Sequence, residues 1–182
     1  MKASEGILKE VSSLGVMICR LQVPGLTDSH QKMIRTIYSR HSRMIIFLGT
    51  TGEKISSKNP FPFEFRKQMV NLFISSHVGM SLDAVTIIPL PDNQDNDVWV
   101  ANLDRTISAF LSFDESAHLY GGRDSFIPYY EQSNGKFKTT ALEQEDYDSG
   151  TELRKITSVF QPYYTVQAAQ AILWAIRQLE EK

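Results

Sequence analysis

The feature that most constrains this chain is a short, unbroken apolar run, Met44-Ile-Ile-Phe-Leu48, set between segments of helical periodicity. A strand apolar on both faces belongs in the middle of a parallel sheet, where helices cover it from above and below. The neighbouring segments agree. Gly15-Val-Met-Ile-Cys-Arg-Leu21 reads as a first strand, and Gln22 to Ser29 as a turn. Met33, Ile34, Ile37 and Tyr38 then recur with helical spacing, behind a cap supplied by Asp28 or Ser29. A loop from Gly49 to Pro62 leads to a helix over Phe63 to Ser76, and a third strand over Ala84 to Pro89. After the acidic turn Pro91 to Asn96, a helix is expected from Asp97 to Leu111. His118 to Tyr120 is a fourth strand, stopped by Gly121-Gly122. Asp124 or Ser125 would cap a helix through Tyr130, and Phe137 to Leu142 is a fifth strand. A helix is expected to begin at Asp148, and Val166, Ala169, Leu173, Ile176 and Leu179 form an amphipathic stripe near the C-terminus.

Strands alternating with helices give an α/β fold: a Rossmann-like parallel sheet with helices on both faces. The expected organisation is an N-terminal extension over 1–14, one domain over 15–158, and a C-terminal helix over 159–182 packed on it. In open sheets of this kind ligands bind beyond the carboxyl ends of the strands, where strand order reverses. The loops after strands one and four are therefore where chemistry should lie.

Composition narrows the function. The formal net charge is -2, which argues against a nucleic-acid tracker, a class that carries a basic excess. No apolar run approaches the roughly 18–20 residues of a membrane span, and the first residues lack the apolar core of a secretory signal. The one cysteine, Cys19, has no partner for an internal disulfide and reads as a buried, inert thiol. A cytoplasmic protein follows, with a homo-oligomer left open.

Two clusters could carry chemistry. Arg20 ends the first strand, and His30 lies in the opening turn of the next helix, whose free N–H groups and partial positive charge suit an anion. Taken alone, His30 is as well read as a packing or exposed residue. In the second cluster, Ser149 and Glu152 have the spacing of a capping box, which needs no ligand. Arg154, a cation early in a helix, opposes the dipole unless an anion joins it.

These residues resemble the nucleotidyltransferase superfamily, in its nicotinamide mononucleotide adenylyltransferase-like branch. Gly15-Val-Met-Ile-Cys-Arg-Leu-Gln-Val-Pro and Thr27-Asp-Ser-His30 are similar to that branch's Gly-Arg-Phe-Gln and His-x-Gly-His segments. Asn59-Pro-Phe-Pro-Phe-Glu-Phe-Arg66 is similar to its Asn-Pro-Phe segment, Ile88-Pro-Leu-Pro-Asp92 with Trp99-Val100 to its fourth, and Ser149-Gly-Thr-Glu-Leu-Arg154 to its Ser-x-Thr-x-x-Arg signature. Gly121-Gly-Arg-Asp124 resembles the Gly-x-Asp turn. Three positions depart: Thr27 replaces the first His, Ser29 the Gly, and Cys19 a Gly before the Arg.

The resemblance implies adenylyl transfer from ATP, or another nucleoside triphosphate, to a phosphomonoester of nicotinamide type. His30, Thr27, Arg20 and Arg154 would be catalytic. Ser29, Gly121, Asp124, Ser149, Gly150 and Thr151 would touch nucleotide, and Asn59, Arg66 and Trp99 the acceptor. Magnesium would ride on triphosphate oxygens without a protein ligand. Trp99 reads equally well as a core or interface residue. The three departures keep open a non-catalytic nucleotide-binding relative, and base choice leaves open a cytidylyltransferase using CTP.

Overall fold

A computed structural model describes residues 13–142, apart from 24, 51–58, 78, 123 and 124. Five strands, β1 (Ser13–Cys19), β2 (Arg43–Thr50), β3 (Val85–Pro91), β4 (Ser116–Gly121) and β5 (Lys138–Ala141), form one sheet in the order β3-β2-β1-β4-β5. Every neighbouring pair is parallel. Strand order therefore reverses between β1 and β4, and the loops after these two strands part to opposite sides.

Among the described residues, four α-helices cover the sheet: α1 (Asp28–Arg40), α2 (Phe63–Ser76), α3 (Asn96–Ser108) and α4 (Ile127–Gln132). The side chains of the central strands alternate between two cores. Met17, Met44, Ile46 and Leu48 pack with Ile34 and Ile37 of α1 and Val70 and Ile74 of α2. Leu14, Val16, Ile45 and Phe47 pack on the other face with Val100, Leu103 and Ile107 of α3 and Tyr130 of α4. This double burial explains why Met44 to Leu48 shows no polar alternation.

Several boundaries differ from the sequence expectation. β1 runs from Ser13 to Cys19 rather than from Gly15 to Leu21, because Leu21 turns the chain with φ 46. β3 continues past Pro89 to Pro91. As the sheet's edge strand it loses little to a missing N–H. α3 stops at Ser108, short of Leu111, and the apolar Phe110 and Leu111 make turn bonds to Ile107 and Ser108 instead. α1 is capped by Thr27, not by Asp28 or Ser29, which are already helical. α4 begins at Ile127 with no side-chain cap at its Phe126 N-cap, although Ser125 Oγ accepts from the Ile127 N–H at 3.4 Å. The helix expected from Asp148 and the terminal stripe lie outside the described residues.

Three histidines outside the pocket are held by neighbouring side chains. His41, buried at the C-cap of α1, meets the Tyr120 hydroxyl at 2.8 Å and so ties that helix to β4. His118 stacks on the same tyrosine ring and meets Thr140 of β5 at 2.7 Å. His77 sits on Phe73 and meets Arg35 at 3.1 Å.

Candidate active site

A pocket of about 850 Å³ opens at the carboxyl ends of the strands. β1 contributes Ile18 and the residue after it, Arg20; the ends of β2 and β3 add Thr50 and Asp92. Trp99 from α3 and Phe126 before α4 close the wall, their ring centroids 6.1 Å apart. Trp99 is half-buried, with one side on the core and the other lining the pocket. Ile18 faces the pocket while Cys19 faces the opposite core, as strand alternation requires.

The floor is braced by two interlocked side chains. Arg66, 2% exposed, gives its Nε to the Phe61 carbonyl at 3.1 Å and its Nη1 to the carbonyls of Arg20 at 2.6 Å and Gly49 at 3.0 Å. The buried Gln22 amide clasps the main chain of Phe61 at both ends: Nε2 donates to its oxygen at 3.2 Å, and Oε1 accepts from its N–H at 3.0 Å. The ends of β1 and β2 and the Asn59-Pro-Phe61 segment are thus clipped together. This clip holds Leu21 in the left-handed region, a strain of order 1–3 kcal/mol for a residue with a side chain. Burial pulls the Arg66 guanidinium below its ordinary pKa, although the nearby Cys19 opposes this. Burial pushes the Cys19 thiol up to about 12, against the charge of Arg66. That is the behaviour of an inert thiol.

The opening of α1 forms the second part of the site. Thr27 and His30 make a capping box in which histidine takes the place usual for glutamate. Thr27 Oγ1 accepts from the His30 N–H at 3.4 Å, and His30 Nδ1 accepts from the Thr27 N–H at 3.3 Å, with Oγ1 2.9 Å from that nitrogen. Nδ1 is therefore an acceptor, and the neutral ring carries its proton on Nε2. Burial lowers the His30 pKa, and the positive end of the helix disfavours an imidazolium in the same sense. The arrangement offers a neutral N–H donor beside the free amides of a helix N-terminus. Among the described residues, no group of three or more His, Cys, Asp or Glu side chains is placed to hold a metal ion.

No protein-family profile matches the sequence. Two curated proteins named nicotinamide-nucleotide adenylyltransferase are similar to it. One, from Halorubrum lacusprofundi, is 23% identical over 129 residues, 70% of this chain and 67% of that protein. The other, from Saccharolobus solfataricus, is 33% identical over 70 residues, 38% of this chain and 40% of that protein. A bifunctional NMN adenylyltransferase/ADP ribose pyrophosphatase from Francisella tularensis, solved with AMP and a manganese ion, superposes with a TM-score of 0.70 at 22% identity. The superposition covers 93% of this chain and 54% of that one. The fold is that of an NMN adenylyltransferase.

Within this adenylyltransferase fold, the pocket brings together two of the residues expected from sequence, Arg20 and Trp99. Thr27, Ser29 and His30 sit at the start of α1 and do not line it. Arg66 spends three bonds on main-chain carbonyls beneath the pocket, and Asn59 leads into the loop that Arg66 and Gln22 hold. Gly121 ends β4, and a Cβ there would meet Ser125 Cβ and Oγ at 2.6 Å. A side chain at position 121 would therefore press on Ser125. Asp124, Ser149, Gly150, Thr151 and Arg154 lie outside the described residues. Sequence reasoning assigned no role to Gln22, Asp92, Phe126 or Tyr129. Gln22 and Asp92 both stood in the segments that carried the resemblance, so position in those segments was the available signal.

Proposed function

We propose that this chain transfers an adenylyl group from ATP to a nicotinamide-type mononucleotide. The observation that carries the reading is the pocket itself: a cation, Arg20, and an aromatic wall, Trp99 and Phe126, at the strand ends of this fold. An oxygen of the acceptor phosphate attacks the α-phosphorus of ATP. The bond from α-phosphorus to the bridging oxygen breaks, and pyrophosphate leaves. No covalent enzyme intermediate is needed, so catalysis rests on positioning and on spreading charge.

Each residue then has a task. The amides at the start of α1 and the Nε2–H of His30 receive triphosphate oxygens, and Thr27 holds the imidazole in that tautomer. Ser29, in the same turn, lies along the nucleotide. Arg20 takes phosphate, Arg154 the β- and γ-phosphates, and Trp99 a flat ring. Arg66 and Asn59 act on the acceptor by fixing the pocket floor. Gly121, Asp124, Ser149, Gly150 and Thr151 contact nucleotide. The chemistry of a divalent ion, magnesium here, is to neutralise triphosphate oxygens. A reaction on soluble nucleotides fits a cytoplasmic protein.

The test is pyrophosphate release with ATP, magnesium and nicotinamide mononucleotide, run beside CTP. Turnover with ATP at a rate that Arg20→Ala lowers at least a hundredfold is expected. Turnover with CTP alone makes the chain a cytidylyltransferase. ATP binding by calorimetry without turnover overturns the transferase reading and leaves a nucleotide-binding relative, the reading that the departures at Thr27 and Ser29 favour.

A further inference from the structure

Arg20 does not point straight out of the sheet. Its stem lies across the end of β2, where a Cβ added to Gly49 would stand 3.3 Å from Arg20 Cγ. Its Nη2 then donates to Asp92 Oδ2 at 2.7 Å, just past the end of β3. Asp92 is held in turn by its own N–H, which donates to the Thr50 carbonyl at 2.9 Å. The two side chains are 54% and 37% exposed, so a solute reaches both heads. Among the described residues lining the pocket, these are the ionised ones. An exposed pair of this kind contributes little and opens at little cost.

A nicotinamide-type mononucleotide, the acceptor proposed for this site and the basis of this inference, carries two opposite charges. One end is a phosphate and the other a pyridinium ring. We propose that the Arg20–Asp92 pair is exchanged, head for head, with these two charges: the phosphate takes Arg20, and the released Asp92 carboxylate faces the pyridinium. The aromatic rings of Trp99 and Phe126 favour the same occupant, because a cation is attracted to their faces.

The exchange makes Asp92 a determinant of specificity. A ring bearing a carboxylate in place of the carboxamide brings a negative charge towards Asp92 and has no net charge to offer it. Like charges set against the wrong partner are a common route to discrimination. A reduced ring, which is uncharged, likewise loses the counter-charge. The pocket is thus built for a cationic ring with an uncharged substituent.

Calorimetry with the full chain tests this, using nicotinamide mononucleotide, its reduced form and nicotinic acid mononucleotide. The wild type should bind the first about tenfold or more tighter than either of the others, a difference of about 1.4 kcal/mol. Asp92→Asn should weaken the first about tenfold and bring the ratios close to one, and Asp92→Glu should restore them. A role for Asp92 confined to holding Arg20 would weaken all three ligands alike. Unchanged ratios in Asp92→Asn therefore overturn the proposal, as does a wild type that binds all three equally, and in either case the acceptor reading stands. If none of the three binds, the acceptor reading falls, and this proposal with it.

Discussion

The capping box at the start of α1 separates the structural work of His30 from the chemical work proposed for it. Thr27→Ala removes the acceptor for the His30 N–H. Loss of a side-chain N-cap costs about 1 kcal/mol, and the methyl of this buried residue adds about 0.8 kcal/mol. The sum, roughly 2 kcal/mol, corresponds to a fall in Tm of about 4–8 °C for a domain of this size. His30→Gln behaves differently, because glutamine can reach back to the Thr27 N–H as histidine does here. Its stability should stay within about 0.5 kcal/mol of the wild type, whereas His30→Ala should lose about 1 kcal/mol. Activity should part company with stability. His30→Gln replaces a rigid ring donor with a flexible amide, and losing one well-aimed hydrogen bond costs about tenfold in rate. Urea unfolding gives the first quantity and pyrophosphate release the second. Equal stability of the Gln and Ala variants would refute the box, and nitrogen chemical shifts showing a proton on Nδ1 would refute the tautomer.

The same geometry has three further consequences. Burial holds the His30 pKa below its ordinary 6.5, so the unfolded chain takes up a proton that the folded chain refuses. The stability from this group is complete above pH 6.5 and is lost as pH falls below it. Urea unfolding at pH 7.5 and 5.5 should show a smaller loss in His30→Gln than in the wild type, and equal losses would count against a desolvated ring. Arg66→Met strands three carbonyls, those of Phe61, Arg20 and Gly49, and should cost on the order of 4 kcal/mol. A loss under about 1 kcal/mol would show that the clip is not needed. Cys19, its thiol pushed up to about 12, should react slowly with iodoacetamide at pH 8 until the chain is unfolded, and rapid labelling of the native protein would contradict the raised pKa.

Much of the fold was legible because its core repeats simple patterns. α2 falls on Phe63–Ser76 as the sequence suggests, since a long apolar periodicity begins directly after a proline. β2 announces itself through burial on both faces. The errors sit where local rules meet tertiary context. Proline looked like a stop in β3, but an edge strand tolerates it. Phe110 and Leu111 looked helical because they are apolar, yet they pack against the core from a turn. The site was half legible. Arg20 and Trp99 could be placed in a crevice once the sheet was assumed. Asp92 could not be paired with Arg20, because 72 residues separate them and only the strand order β3-β2-β1 brings their ends together. The burial of Arg66 was hidden for the same reason: three main-chain carbonyls from three segments converge on it, and carbonyls leave no mark in a sequence.

The same geometry gives the departures at Thr27 and Ser29 a physical reason. Thr27 has the extended backbone of an N-cap, with φ -69 and ψ 162, and threonine caps a helix far better than residues outside the Ser, Thr, Asp, Asn and Gly group. Ser29 is the second residue of α1, where glycine would cost roughly 0.5–1 kcal/mol in backbone entropy. Converting the turn to the His-x-Gly-His pattern it resembles would therefore remove a cap of about 1 kcal/mol and loosen the first turn as well. What the chain holds instead is one imidazole, fixed by the threonine three residues before it, with its proton directed away from the cap. A second imidazole at position 27 would add a donor only by giving up the hydroxyl that aims the first. Under the proposed function, the variant motif would exchange one ligand for the orientation of another. For a reaction that depends on positioning, orientation is the quantity that counts.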